Sequence, residues 1–555
     1  MPAAASATVE TDVLIAGGGP FGLMLANELG RRGIRSLLVD PKPGTAFNPQ
    51  ANATQARTME HFRRLGFADE IRGQGLPPDH TTDIAYFTRY AGYELARLPL
   101  PTAAQAVSGV RSLTGSWSAA ELPHRISQKF VEAVLLRHAR SFECNDIRYG
   151  WRLADFTPQH DGAAAVVQAE PGGAPLAVHA QYLIGADGAR SVVRNRSGIA
   201  WGGATGTRRD FMGGQMFAVY LRAPAFCEVM AHDRAWMYVS VNPQRRAFMA
   251  SVDGRTEFAF HAALHPDEDG DAWTERDARR MFAQALGREI PLEVLSFGTW
   301  TAGHSLVAQS FQQGRVFIGG DSAHLFTPTG GLGYNTAVED AVNLGWKLAS
   351  VLSGVASSRL LDSYQAERQP LAWRNTGYAR QFADSVGLFP ATALLEEDSE
   401  AGSAERSRAS EYLNAHARLE FNIPGVTFGG RYDNSPVIVG DGTQPPPDHP
   451  KVYWPSACPG GRPPHAWLAD GRSLFDAFGR DWTLLVLGPE PPDIDPFTRS
   501  ARALGLDLAI VRLPQSALHD LYGAPLALIR PDQIVAWRGH GAATAQQVLS
   551  KVTGN

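Results

Sequence analysis

Short apolar runs punctuate the first 350 residues, and three of them end alike, in an acid close to glycine. Residues 13–16 (VLIA) form the first such run, and Leu23, Leu25, Ala26 and Leu29 follow at helical spacing. Gly33 closes that helix, and residues 36–39 predict a second strand ending at Asp40. Residues 182–185 predict another strand, followed by Asp187-Gly188, and residues 314–320 a turn and strand leading to Asp321. Loop is expected over 328–333. From about Asn335 a helix is expected, with Ala337, Val338, Ala341, Leu344 and Leu348 on one buried face. Residues 211–264 alternate and turn repeatedly, which predicts antiparallel strands. Charged and small residues over 396–411 suggest an exposed helix or loop. The proline-rich stretch 441–464 reads as a connector. Beyond it come two strands (482–488, 507–513) and a hairpin over 526–539 turning at Pro531-Asp532.

The first run carries chemistry. Gly17-Gly18-Gly19-Pro20-Phe21-Gly22 fits GxGxxG between a strand and a helix. Gly17 suits the tight turn, Gly19 lets a pyrophosphate approach the backbone, and Gly22 lets helix and strand pack closely. The helix N-terminus offers free N–H groups to phosphate, and Asp40 is placed to accept from a ribose diol. The fingerprint by itself suits FAD and NAD equally. A glycine-rich turn that only packs is the competing reading.

Composition narrows the class without changing the picture. With 555 residues, 44% hydrophobic and 19% charged, the chain is of globular type and long enough for about three domains. A net charge of −5 gives no electrostatic case for nucleic acid or anionic lipid. The three cysteines, Cys144, Cys227 and Cys458, form no CxxC, so neither a disulfide framework nor a metal site is expected. No basic leader and no membrane-length apolar run is evident, so a cytoplasmic location is expected.

Taken in order, the GxGxxG start, "GADGARSVVR" (185–194) and "GDSAHLFTPTGGLGYN" (320–335) resemble the class A flavoprotein monooxygenases, the FAD-dependent aromatic hydroxylases. "FNIPGVTFGGRYDNSPVI" (421–438) and "RPPHAWL" (462–468) are similar to the longer phenol-hydroxylase branch, which includes antibiotic-tailoring oxygenases. The resemblance implies an α/β fold. An FAD-binding Rossmann-like domain of glutathione-reductase type would occupy 1–450, with an antiparallel substrate sheet inserted at about 80–120 and 200–300. A thioredoxin-like domain would occupy 451–555; lacking CxxC, it is expected to pack rather than do redox chemistry.

The resemblance also assigns roles. Gly17, Gly19, Pro20, Gly22 and Asp40 would hold the adenosine half of FAD, with Arg57 near its phosphates and Gln128 reaching the cofactor. Asp187, with Arg190 and Arg194 beside it, would serve FAD and nicotinamide, and Asp321 the ribityl hydroxyls. The backbone of Pro328, Gly331, Leu332, Gly333, Tyr334 and Asn335 would lie on the flavin's pyrimidine edge, with Asn335 bonded to it. A helix N-terminus aimed there stabilises the anion of reduced flavin.

Met237, Tyr238, Phe248 and Met249 are pocket candidates on the alternating strands, although each taken singly reads as core before pocket. Electrophilic hydroxylation of a phenol is helped by a nearby base. Some relatives carry a histidine where this chain has Asn52, which cannot serve. His61, Tyr238 and His324 are the substitutes, unranked. The expected activity is NADPH- or NADH-dependent hydroxylation of a small phenolic aromatic by O2 through a flavin hydroperoxide. Baeyer–Villiger or epoxidising chemistry on a polyketide-like substrate is one alternative, and a non-oxygenating flavin reductase another. A homodimer is an expectation of the family.

Overall fold

The computed structural model describes residues 8–205 and 213–555. Residues 211–212, where the alternating stretch was expected to begin, and the first seven residues lie outside that range.

Strand Val9–Ala16 runs between two parallel neighbours, Pro175–Gly185 and Ser36–Asp40. Asn145–Tyr149 extends the sheet on one side and Val316–Ile318 on the other, both parallel to their neighbours. Residues 13–16 and 36–40 are buried throughout, as expected of parallel strands covered on both faces. The antiparallel pair Trp151–Pro158 and Ala163–Ala169 contributes to the same core as the helices. Register decides what happens at its end. Ala16 pairs with both Val39 and Gly185, and Gly185 pairs with Ile318. Three acid-bearing turns therefore leave one edge side by side, at the strand ends where such sheets bind ligands.

Helix Pro20–Gly30 starts with proline at its first position, whose missing N–H would be unbonded there anyway. It packs between the sheet, helix Gln128–Arg140 and the long helix Leu332–Leu352. That last helix starts three residues before Asn335, because Gly331 at a left-handed φ of +65° begins the turn directly.

A second, seven-stranded sheet is built from Ile84–Phe87 and Glu94–Leu98 together with five strands between Gly214 and Ala302. Its side chains alternate between two covered faces. Phe217, Tyr238, Met249 and Phe260 pack outward on helix Glu275–Leu286. Tyr86, Met237 and Phe248 face inward, where Leu413 and Ala417 of helix Glu400–Phe421 cover one end. That helix spans most of the charged stretch and buries Glu405, Ala409 and Leu413, so it is not simply exposed. A two-residue ribbon, Ala53–Thr54 paired with His124–Arg125, lies between the two sheets' elements.

The C-terminal region has a four-stranded sheet in the order 508–513, 482–487, 526–529, 535–539. Only the first two of these strands are parallel. Leu484, Leu528 and Trp537 form one core with Trp346, Leu360 and Leu371 from the preceding helices, so this region is welded on rather than tethered. The connector 441–464 has no regular structure, yet Tyr453 and Cys458 within it are buried. Among the described residues no helix is long and apolar enough to cross a membrane.

Candidate active site

The fingerprint glycines differ in what surrounds them. Gly17 has φ +119°, and a Cβ there would lie 2.1 Å from the Ala186 carbonyl oxygen. At Gly22 a Cβ would lie 2.0 Å from the Gly17 oxygen. Gly19 has nothing within 4 Å, which leaves its backbone open to a ligand. Asp40 accepts from the Gly18 N–H at 2.7 Å and the Lys42 N–H at 2.8 Å. Two of its acceptor positions remain for a diol.

Asp187 is engaged elsewhere. Its carboxylate accepts from the N–H groups of Val192 (2.6 Å) and Val193 (3.1 Å) and from the Ser322 hydroxyl (3.2 Å). It caps a five-residue helix and latches the second motif to the third. Arg194 turns inward to the carbonyls of Ala189 and Ser322, while Arg190 is exposed. Asp321 is the opposite case. No described group bonds its carboxylate. Its surface is open to solvent, yet enough protein surrounds it that burial raises its pKa above the ordinary range. Asp321 is thus reachable by solvent yet surrounded by protein, as a group lining a recess would be.

The glycine loop is pinned from both sides. The Gly330 N–H donates to Glu420 at 3.0 Å, and Gln55 donates to the Gly330 carbonyl at 2.9 Å. Asn335 accepts from the Gln55 N–H (2.8 Å) and donates to the carbonyls of Ala53 (2.9 Å) and Gly331 (2.6 Å). Its amide thus spends its bonds fixing the loop to the ribbon, which leaves neither amide hydrogen for the flavin edge expected of it. Among the described residues, the first N–H groups of the helix, at 332–334, donate to no protein group. A 21-residue helix therefore presents its positive end unsatisfied. Pro328 at the loop's start is exposed.

Among the described residues two buried polar atoms nearby also lack partners, Asn52 Oδ1 and Ser127 Oγ, while the Tyr334 hydroxyl and Thr54 face each other. Backbone bonds from Ile126 to Asn52 and from Gln128 to Ala51 hold the two segments together. Each such orphan costs about 1–3 kcal/mol unless a ligand satisfies it. Gln128 donates to Glu132 at 2.7 Å and is half-buried, with its own carbonyl still free. An open Gly19, a half-used Asp40, a free Asp321, an open helix end and this orphan pair suit an extended dinucleotide such as FAD.

Arg57 lies elsewhere than expected. It is buried on helix Ala56–Leu65 and bonds Glu60 (3.0 Å), Gln533 (3.1 Å) and the Asp532 carbonyl (2.9 Å), which accounts for its guanidinium without any phosphate. The three catalytic candidates are also placed away from a substrate. His61 is buried, and its pKa is driven well down by burial and then by Arg57, Arg64, Arg368 and Arg462. It faces the C-terminal region. Tyr238 pairs with Met249 on the outward face, and its hydroxyl accepts from the Ala235 N–H at 2.9 Å. His324 is fully buried and bonds Asp340 at 2.7 Å, while Arg368 bonds the other Asp340 oxygen, also at 2.7 Å. It braces the helix beneath the loop.

The sequence reading missed His261. It pairs across the sheet with Phe248 on the inward face, and the rings stack at 4.6 Å and 9°. The Trp300 indole donates to His261 Nδ1 at 3.2 Å. An indole N–H can only donate, so Nδ1 is the acceptor and the neutral ring carries its proton on Nε2. Burial lowers its pKa to about 4, yet its surface is partly open on the inward face. The signal was in the alternation: Phe258, Phe260 and Ala262 point one way and His261 the other.

Comparison with known proteins agrees with this cleft. Residues 10–379 match the family model of the FAD binding domain, and residues 456–555 that of the aromatic-ring hydroxylase C-terminal region. A putative polyketide hydroxylase of Streptomyces halstedii is 31% identical, over 96% of this chain and 94% of its own. Phenol 2-monooxygenase of Pseudomonas sp. (strain EST1001) is 29% identical, over 96% and 90%. A solved structure of RebC, soaked with chromopyrrolic acid and holding 7-carboxy-K252c, superposes with a TM-score of 0.88 at 33% identity, over 99% of this chain and all of that one. The chain belongs to the FAD-dependent aromatic-ring monooxygenases, the class A flavoprotein hydroxylases.

Proposed function

We propose that this enzyme consumes NADPH or NADH and O2 to hydroxylate an aromatic ring held between the glycine loop and the inward face of the seven-stranded sheet. Three features support this reading: the open end of helix Leu332–Leu352, the unpaired Asp321 at the sheet end, and the Phe248–His261 shelf, whose Phe248 packs on the cluster of Ala53 beside Gly331. Bound FAD supplies the redox chemistry that activates oxygen. The chain's own residues hold and shield it. Asp40 takes the ribose, the backbone at Gly19 the pyrophosphate and Asp321 the ribityl hydroxyls. The N–H groups at 332–334 take the flavin's pyrimidine edge, where they favour the reduced anion.

His261 acts as a hydrogen-bond donor rather than a base. A ring with a pKa near 4 is neutral at physiological pH, and its Nε2–H can hold a phenolate or carbonyl oxygen of the substrate. No base is needed for a substrate whose hydroxyl is already acidic, as in polycyclic phenols that carry a conjugated carbonyl. The naming of one relative as a polyketide hydroxylase, and a carboxylated polycycle in the RebC structure, support that substrate class. The C-terminal sheet's strand order supports a thioredoxin-like domain that packs and does no redox chemistry.

The test is nicotinamide oxidation by the FAD-loaded enzyme against substituted phenols, polycyclic phenols and simple ketones, with product mass. Ring-stimulated oxidation giving a product one oxygen heavier is expected. Stimulation by ketones alone, with oxygen inserted beside the carbonyl, would overturn hydroxylation.

A further inference from the structure

Among the described residues, most buried arginines bond carboxylates, and Arg194 and Arg246 bond backbone carbonyls. Arg72 bonds Glu121, Arg368 bonds Asp340, Arg462 bonds Glu60, and Arg530 bonds Glu367 and Asp532. Arg125 is different. It is half-buried on the ribbon strand His124–Arg125, and no hydrogen bond or ion pair joins its guanidinium to any described residue. Its contacts are aromatic: Trp236, with the ring centre 4.6 Å away, and Phe421 at 5.8 Å. Burial pulls its pKa down to about 10, offset only in part by Glu420. Glu420 itself is taken by the Gly330 N–H and by His416, each at 3.0 Å.

The ribbon's pairing says where this charge sits. Arg125 is opposite Ala53, and paired residues in an antiparallel ribbon project to the same side. Ala53 Cβ lies 3.0 Å from where a Gly331 Cβ would be, and Ala53 shares a cluster with Tyr86 and Val239 of the inward sheet face. Arg125 therefore emerges between the glycine loop and the aromatic face of the cleft. A guanidinium held by ring faces, with its N–H fork unfilled, is arranged to receive a planar anion in two parallel bonds. The aromatic flanks hold the fork in place and exclude water from it.

We propose that Arg125 is the anion anchor of the substrate pocket, and that the substrate is an aromatic acid whose carboxylate, or an equivalent anionic oxygen pair, docks on it. The inference rests on the aromatic-hydroxylase reading and names the substrate class within it. The anchor fixes the ring's position against the Phe248–His261 shelf, so that charge selects the substrate and the shelf orients it.

Binding is read without turnover, from the absorbance change of the bound flavin. Benzoate, 2-naphthoate and anthracene-2-carboxylate are titrated into the FAD-loaded protein, each against its neutral carboxamide. The wild type is expected to bind at least one acid roughly tenfold or more tightly than its amide, the size of a charge-assisted bond. Arg125→Gln abolishes that preference, Arg125→Lys keeps part of it, and FAD content is unchanged in both. An acid no tighter than its amide at every ring size in the wild type, which needs no variant, overturns the proposal. So does a preference that survives Arg125→Gln, or FAD lost from a folded Arg125→Gln protein. Acid-selective binding with no oxygenated product would remove the hydroxylation reading alone. Hydroxylation of neutral rings without acid preference would remove the anchor alone.

Discussion

Two regions of this molecule use the same side chains to opposite ends. At the seam with the C-terminal region, Glu367 accepts from Lys347, Arg530, Asn343 and Ser435, and Glu60 accepts from Arg57 and Arg462. Every charge there has a protein partner. On the ligand side, Asp321 and Arg125 have none among the described residues, and the helix N–H groups at 332–334 are likewise unbonded. A folded chain tolerates unsatisfied polar groups where a ligand completes them. The contrast therefore separates structural charge from functional charge better than residue type or burial does. His324 and His61 look as catalytic as His261 by composition, and their Nδ1 atoms are unbonded. What sets His261 apart is its place beside Phe248 on the partly open inward face of the sheet, while the other two are buried.

The largest expected effect lies at the seam. Glu367→Ala leaves Arg530 and Lys347 buried without their carboxylate and should destabilise the protein by about 3–5 kcal/mol. Thermal melting of purified protein would register it, together with a sharp loss of soluble yield. A seam variant that melts like the wild type would mean the network is not structural.

The pH response sharpens the same point. Burial pushes the Glu60 carboxyl up, but Arg462 and then Arg57 outweigh it and hold it at about 2. The folded value is below the ordinary 4.5, so the stabilisation is complete above pH 4.5 and fades as pH falls toward 2. The expected size is about 3 kcal/mol for this group. Melting curves across that window should fall for the wild type and run flatter for Glu60→Gln.

At the shelf, His261→Leu should lower kcat/KM by roughly tenfold to a hundredfold, the worth of a hydrogen bond to a charged oxygen. Tyr238→Phe, one residue phase away, should leave turnover within about twofold. Equal losses from both would erase the distinction between the two faces. The smallest effect on stability is expected at Asp321: Asp321→Ala should leave apo-protein melting unchanged, whereas Asp187→Ala should cost about 1–2 kcal/mol through its lost bonds to the Val192 and Val193 N–H groups.

Much of the FAD side was legible because its signals are local. Turn glycines, strand-ending acids and helix starts lie within a few residues of each other, and the register of the parallel sheet then aligns them. The misses were long-range. Arg57 reads as a cation at a helix start, but its partner Gln533 is 476 residues away. Asn335 reads as a free amide, but Gln55 and Ala53 claim it from 280 and 282 residues away. His261 was hidden by phase: on a strand whose other face is the obvious core, a polar residue reads as solvent-facing until a second covering layer is seen. Arg125 carries no motif at all, and its meaning lies in the carboxylate that does not approach it.

The most direct test is FAD affinity in apo protein reconstituted with the cofactor, comparing wild type with Asp321→Ala. The account predicts at least a tenfold weaker affinity with an unchanged apo melting temperature, because the carboxylate serves only the ligand. Wild-type FAD affinity in that variant would contradict it, and with it the claim that the unpaired groups of the cleft mark the cofactor.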